Sequence, residues 1–203
     1  MLTKTYHGKK ITEVKISFKQ LICLALYYGI ATHLPDSYSL FGGEISNYIR
    51  VFLCKRIFKK CGKIRTINRK VVFGSGRNIE MGDNSGIGAN TEIPSDTIIG
   101  KNVMLSRRCF VLHRNHEFSR IDIPIIKQGF KETKKLIIED DCWIGLNSIL
   151  TPGRHVSKGT IVGMGSVLTK DFPEYSIVGG NPAKLIKSRL TQAEVEKIQI
   201  TPT

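Results

Sequence analysis

Aliphatic side chains recur at a strict interval of six in two long stretches, and this period limits what the chain can fold into. Met81, Ile87, Ile93, Ile99, Leu105 and Val111 form the first run, and Ile138, Ile144, Leu150, Val156, Val162 and Leu168 the second. An α-helix needs apolar residues at intervals of three and four, and an ordinary strand alternates every two. A period of six instead describes a coil of triangular cross-section. Each flat side is a short strand that sends one aliphatic residue inward, onto its equivalents in the turns above and below. The residues two places earlier are mostly small, as at Ser85, Thr91, Thr97, Ser148 and Ser166. Glycine follows the aliphatic residue at Gly82, Gly88, Gly100, Gly145 and Gly163. Both patterns are read as tight corners that need small residues. The expected fold is an all-β core, a parallel β-helix with a helical N-terminal segment, an extended loop and a short C-terminal helix.

From Val111 to Ile138 is 27 residues, which is not a multiple of six. A loop over 113–135 therefore interrupts the coil, and a loop leaving a rigid scaffold is a favoured place for function. The expected division is a basic, partly helical segment over 1–63, the coil with its loop over 64–187, and a C-terminal helix or tail over 188–203.

Charge separates the first part from the rest. The chain carries 31 Lys and Arg against 17 Asp and Glu, a net charge of +14. Residues 1–70 hold 14 of those bases and only three acids (Glu13, Asp36, Glu44), so +11 of the charge lies there. Such a segment suits an anionic membrane surface, a polyanion, or plain solvated helix faces. Nucleic acid is the weaker partner, because the basic residues lack interleaved aromatics and any recognition motif. Residues 44–60 read as an amphipathic helix with Ile45, Tyr48, Ile49, Phe52 and Leu53 on one face and Arg50, Lys55, Lys59 and Lys60 elsewhere. Residues 14–31 read as a second helix, and Thr191 to Glu194 as a capping box opening a short helix through Ile198. These end segments are expected to cover an open end of the coil or to pack on its side. The five cysteines form no CxxC pair, which points to unpaired thiols in a reducing compartment. The first residues do not read as a signal peptide. The apolar stretch Leu21 to Ala31 is about half of the roughly 20 residues a spanning helix needs. The expected location is cytoplasmic, with contact to the inner face of the membrane open.

The stretches DDCWIGLNSILTPG (140–153) and GTIVGMGSVLTKDFPEYSIVGGNPAKLIKSR (159–189) resemble the hexapeptide-repeat acyltransferases, a family of trimeric left-handed β-helices. That family includes galactoside, maltose, streptogramin and chloramphenicol acetyltransferases and the polysaccharide O-acetyltransferases. The likeness covers about 64–189 and rests on the repeat, the CWIG step, the GSVLTKD step and the GGNPAK turn in order.

The resemblance implies an acetyl-CoA-dependent O-acetyltransferase acting on a sugar or glycan hydroxyl, with a loop histidine as general base. His116, five residues beyond Val111 in the pair Asn115-His116, falls at that position, and His113 is the competing candidate. A sugar hydroxyl is a poor nucleophile, and an imidazole with an ordinary pKa of about 6.5 can accept its proton at neutral pH. Asn115, Glu117 and Asp122 are candidate acceptor-binding residues, the two acids also being candidates to orient the imidazole. By family position, Gly145, Leu146, Gly163, Met164 and Thr169 would lie along the pantetheine arm, and Lys184 and Lys187 would meet the phosphates of CoA, where exposed cations are expected. Trp143 would line the groove or wedge adjoining subunits. The family trimer would place His116 of one subunit opposite CoA held against the next. No metal is expected: a zinc-binding coil would need three converging histidines, and His7, His33 and His155 are not placed to complete a set with His113 and His116. Acyl transfer to a small acceptor such as a free sugar, an antibiotic or serine, or a non-catalytic coil, are the alternatives.

Overall fold

A computed structural model describes Thr5–Tyr6, Lys9–Lys10 and residues 17–132 and 134–191. The expected C-terminal helix from Thr191 lies outside the described residues.

The core is a parallel β-helix with three sides. On the first, Lys60–Cys61, Glu80–Met81, Ile98–Ile99, Ile137–Ile138 and His155–Val156 stack as parallel two-residue strands. On the second, Thr66–Ile67, Gly86–Ile87, Met104–Leu105, Trp143–Ile144, Ile161–Val162 and Ser176–Gly179 do the same, and Lys184–Ser188 closes the stack antiparallel. The third holds Phe110–Val111, Ile149–Leu150 and Val167–Leu168, extended by single bridges at Val72 and Glu92. All twelve repeat positions are buried, none more than 3% exposed. They form one ladder of aliphatic contacts, which supplies the apolar burial that two-residue strands cannot provide singly.

The two runs, out of phase along the chain, are in phase in space. Ile99 pairs with Ile138, Leu105 with Ile144 and Val111 with Leu150. The loop is thus an insertion at one corner, between the third side of one turn and the first side of the next, and the coil is continuous across it.

The corners correct the expected role of glycine. The residues that turn with positive φ lie three before the buried aliphatic: Asn84, Asn90, Asn102, Arg108, Asp141 and Asn147, then Gly153, Gly159 and Gly165. Asn, Asp and Gly tolerate this left-handed region best. The glycines after the aliphatic residues serve close stacking instead. A Cβ on Gly82 would lie 2.7 Å from the carbonyl carbon of Gly100, and one on Gly145 2.6 Å from the amide nitrogen of Met164. The small residues two places before the aliphatic are buried, and Ser85, Thr91 and Ser148 bond the neighbouring turn. Ser85 Oγ donates to Gly100 O (2.6 Å) and accepts from Val103 N (3.0 Å). Cys109 and Cys142 occupy the same position, their thiols donating to Gly145 O (3.3 Å) and Ser157 O (3.2 Å). Burial pushes both thiols up to about 11, so they are structural groups and not ready nucleophiles.

Two helices pack against the first turn. α1 (Phe18–Gly29) opens on a capping box formed by Ser17 and Gln20, and α2 spans Gly43–Ile57. Tyr27 and Tyr28 reach the coil, donating to Val71 O (3.0 Å) and Gly74 O (2.9 Å), with Phe73 against both rings. The buried face of α2 differs from the expected one. It consists of Gly43, Ser46, Arg50, Leu53, Cys54 and Ile57, while Ile45, Tyr48 and Phe52 are exposed. Arg50 decides this orientation. It is 0% exposed, and its guanidinium donates to the carbonyls of Ile67 (2.7 Å), Ala31 (3.2 Å), Leu34 (3.4 Å) and Pro35 (3.0 Å) and to Ser37 Oγ (3.0 Å). A planar five-donor fork can satisfy several carbonyls where the chain leaves α1, which aliphatic side chains cannot. No helix among the described residues is long and apolar enough to cross a membrane.

Candidate active site

The second side gathers most of the expected cofactor positions on one sheet. In stacking order, Lys184 and Lys187 lie on the closing strand, Gly163 and Met164 follow Ile161–Val162, and Trp143 precedes Gly145 and Leu146. Its outward row is apolar: Met104 and Trp143 are about half exposed, and Met164 and Ile186 more so. Trp143 Nε1 donates to Ser106 Oγ at 3.2 Å, which fixes the indole across the strand gap. Both lysines are exposed. Thr169 is not part of this face. It follows Leu168 at the far edge of the third side, and its carbonyl accepts from Arg154 Nη1 at 2.9 Å.

A groove of about 610 Å³ opens on the same side, lined by Trp143, Leu146, Met104, Ser106, Arg107 and Gly88 and reaching Arg65, Asn68, Asn84 and Tyr38. The sequence reading missed the contribution of the leader. Tyr38 stands in the groove because Asp36 is tied to the coil, its carboxylate accepting from Arg107 Nη2 (3.3 Å) and from Asn68 Nδ2 (3.1 Å). The Asp36 carboxyl is held below the ordinary range by hydrogen bonds from the Tyr38 N–H and Asn68 and by Arg107, although partial desolvation, the largest single influence, acts in the opposite direction. The available signal was the turn-forming Pro35-Asp36-Ser37 after an apolar helix.

The loop that carries the histidines leaves the third side after Val111 and folds as a pinched hairpin. Glu117 N donates to Gly129 O (3.0 Å), Lys131 N donates to Asn115 O (2.9 Å), and His116 forms an antiparallel bridge with Phe130. The His116 imidazole lies over the Phe130 ring, centroids 4.5 Å apart, and is exposed on its other side. His113 is exposed at the base of the loop. The two acids do not orient His116 as expected. The Glu117 carboxylate accepts from Phe118 N (2.9 Å) and Ser119 N (3.0 Å), which hold it below the ordinary carboxylate range. Asp122 is paired with Arg120. Asn115 contributes its backbone to the hairpin. Among the described residues no hydrogen bond or ring contact joins His113 or His116 to the Trp143 sheet. In one chain the candidate base and the candidate cofactor face thus stand on different sides of the triangle. No cluster of metal-ligating side chains occurs among the described residues. His155 is engaged with Glu139 on the first side, Nε2 to Oε1 2.7 Å.

Comparison with known proteins agrees with this architecture. Residues 135–170 match the family model described as hexapeptide repeat of succinyl-transferase. The galactoside O-acetyltransferase of Lactococcus lactis is 28% identical over 148 residues, 70% of this chain and 68% of that protein. A chloramphenicol acetyltransferase of Klebsiella aerogenes is 42% identical over 67 residues, so the match spans about a third of each protein (33% and 32%). A solved galactoside acetyltransferase in complex with coenzyme A superposes with a TM-score of 0.65 at 25% identity, covering 84% of this chain and 80% of that one. By its repeat, its relatives and its backbone, the chain is a hexapeptide-repeat protein with the left-handed β-helical fold of the acetyltransferases.

Proposed function

We propose that this protein transfers an acetyl group from acetyl-CoA to a sugar hydroxyl, that of a surface polysaccharide or its precursor. The observation that carries the reading is the second side. It lines up an exposed indole, an exposed thioether and two free-standing lysines on one apolar face, beside a groove rimmed by Asn and Arg. A pantetheine arm suits the apolar row, phosphates suit Lys184 and Lys187, and hydroxyls suit Asn84 and Tyr38. Relatives that act on galactosides or hold coenzyme A support the same assignment. The strong charge of the leader favours an acceptor presented at an anionic surface.

When bound, acetyl-CoA supplies an acyl group already activated as a thioester, so no nucleophilic Ser or Cys is needed. The His116 imidazole accepts the proton of the sugar hydroxyl, and that oxygen bonds to the acyl carbon. The carbon–sulfur bond then breaks, and the thiolate takes the proton back from the imidazolium. The products are an acetyl ester and CoA thiol. The loop with His116 leaves the coil at the corner of its third and first sides while Trp143 lies on the second, so His116 of one subunit is read as meeting the cofactor face of the next, and the homotrimer that the family resemblance implies would supply three such sites. The test is thiol release from acetyl-CoA with a panel of mono-, oligo- and polysaccharide acceptors, with chloramphenicol and serine as rivals. Release with sugars alone supports the reading. Release only with chloramphenicol or serine reassigns the acceptor, and release with none overturns the activity.

A further inference from the structure

The helical pair carries an apolar face that the rest of the chain does not cover. On α1 Phe18, Ile22 and Leu26 follow one another at intervals of four, on one stripe, and Ile30 stands just past the end of the helix. On α2 Ile45, Tyr48 and Phe52 form a second stripe. All seven are large and exposed, with Phe18, Ile45 and Tyr48 at 76%, 68% and 69%. The stripes flank a shallow groove of about 320 Å³ floored by Ala31, Ile49 and Leu53. An exposed apolar surface this continuous marks an interaction site in a folded protein. Arg50 makes it so: by burying the opposite face of α2, it turns the aliphatic and aromatic side chains outward.

We propose that this face docks on an anionic lipid bilayer, with the apolar stripes entering the interface and the basic leader holding the headgroups. Charge singles out the occupant. Residues 1–70 carry +11, of which Arg50 is buried and Lys59 and Lys60 are paired with Glu80, and α1 contains no acid at all. Of the three acids in that stretch Asp36 is already paired with Arg107. Lys19, Lys55 and Arg56 stand exposed on the two helices, Arg56 lying over the Phe52 ring at 3.4 Å. A second copy of this chain would bring Lys19, Lys55 and Arg56 toward their own equivalents, which repel. Nucleic acid would meet a groove lined by aliphatic and aromatic side chains, with the Tyr48 hydroxyl as its one polar side-chain group and no cation in its lining to receive phosphates. Aromatic and aliphatic residues on one face with lysine and arginine at its margin are what an interfacial helix needs. The inference is independent of acetyl transfer, because the face lies on the helices and not on the Trp143 side.

The test is sedimentation of the full chain with vesicles, without acetyl-CoA. Vesicles of phosphatidylcholine with about a third phosphatidylglycerol are expected to bind it, and pure phosphatidylcholine at least tenfold more weakly. The triple variant Phe18→Ser, Ile45→Ser, Tyr48→Ser is expected to lose anionic binding at least tenfold while keeping its circular dichroism and its thiol-release rate with a soluble acceptor. The variant Lys19→Glu, Lys55→Glu is expected to lose roughly fivefold or more per charge. Equal binding to both vesicle types, or unchanged binding of the triple variant, overturns the proposal. So does a change in oligomer size of the triple variant without vesicles, which would make the face a contact between copies. Loss of acetyl transfer in wild type with vesicle binding intact would strike the enzymatic reading alone.

Discussion

Replacing Arg50 with methionine keeps a long side chain on α2 but removes every donor of the guanidinium that ties α2 to the chain after α1 and to the coil. The bonds lost run to Ile67 O (2.7 Å), Pro35 O (3.0 Å), Ser37 Oγ (3.0 Å) and Ala31 O (3.2 Å). Methionine is spared the desolvation of a guanidinium, which offsets much of their gross worth. What remains is the cost of leaving the Ile67 carbonyl with Ser37 Oγ alone (3.4 Å) and the Ala31 carbonyl with Leu34 N alone (3.3 Å), so a loss of about 2 kcal/mol is expected. Arg50→Lys keeps the charge without the fork and should lose about half as much. Urea unfolding followed by circular dichroism gives the loss, and amide exchange gives its location. Exchange should quicken over 31–38 and at the first turn, and stay slow along Ile138 to Leu168. Tyr38 would then be freed from the groove, so KM for the acceptor should rise more than kcat falls. A loss under about 1 kcal/mol with unchanged exchange over 31–38 would refute the claim that Arg50 holds the leader in place.

The corners and stacking glycines give further tests. Gly82→Ala puts a Cβ 2.7 Å from backbone atoms of Gly100 and should cost about 1–3 kcal/mol in urea unfolding. Gly165→Ala meets open space at φ +68° and should cost only about 1 kcal/mol, from backbone strain. Arg108→Asn, at φ +55°, should raise stability by about 0.5–1 kcal/mol, measured in the same way. The thiols of Cys109 and Cys142, raised by burial from 9.0 to about 11, favour the folded state only while neutral. Their contribution is full below pH 9 and lost as pH climbs toward 11. Unfolding midpoints at pH 8 and pH 10.5 should differ, and the difference should shrink in the Cys109→Ser, Cys142→Ser variant.

The coil was legible in the sequence because its period admits no competing element: an aliphatic residue every six positions fills one ladder and cannot serve a helix or a two-sided strand. Two features of the corners were less visible. Asn84, Asn90 and Asn102 carry the left-handed turns, whereas the more conspicuous glycines after Ile87 and Ile144 exist because the next turn comes too close for a Cβ. The face of α2 was misread because periodicity assumes that the apolar stripe is buried. Arg50 overrides it, since its guanidinium donates to the carbonyls of Leu34 and Pro35 after α1 and to Ile67 on the coil, which a buried aliphatic side chain could not do. At the site, Trp143, Met164, Lys184 and Lys187, the positions that the family resemblance names, stand on or beside one sheet. Thr169 falls on another side, and Glu117 and Asp122 are taken up within the loop itself. For Tyr38 the turn-forming Pro35-Asp36-Ser37 is the only local signal, and its place in the groove depends further on the long-range tie between Asp36 and Arg107.

The central claim, that His116 is the base, is tested most directly by single-turnover thiol release from acetyl-CoA for wild type, His116→Ala and His113→Ala with the best sugar acceptor. The His116→Ala variant is expected to lose on the order of a hundredfold or more in rate while binding acetyl-CoA as before, and His113→Ala to stay within a few-fold of wild type. Full activity in His116→Ala, with the loss falling on His113→Ala, would contradict the account.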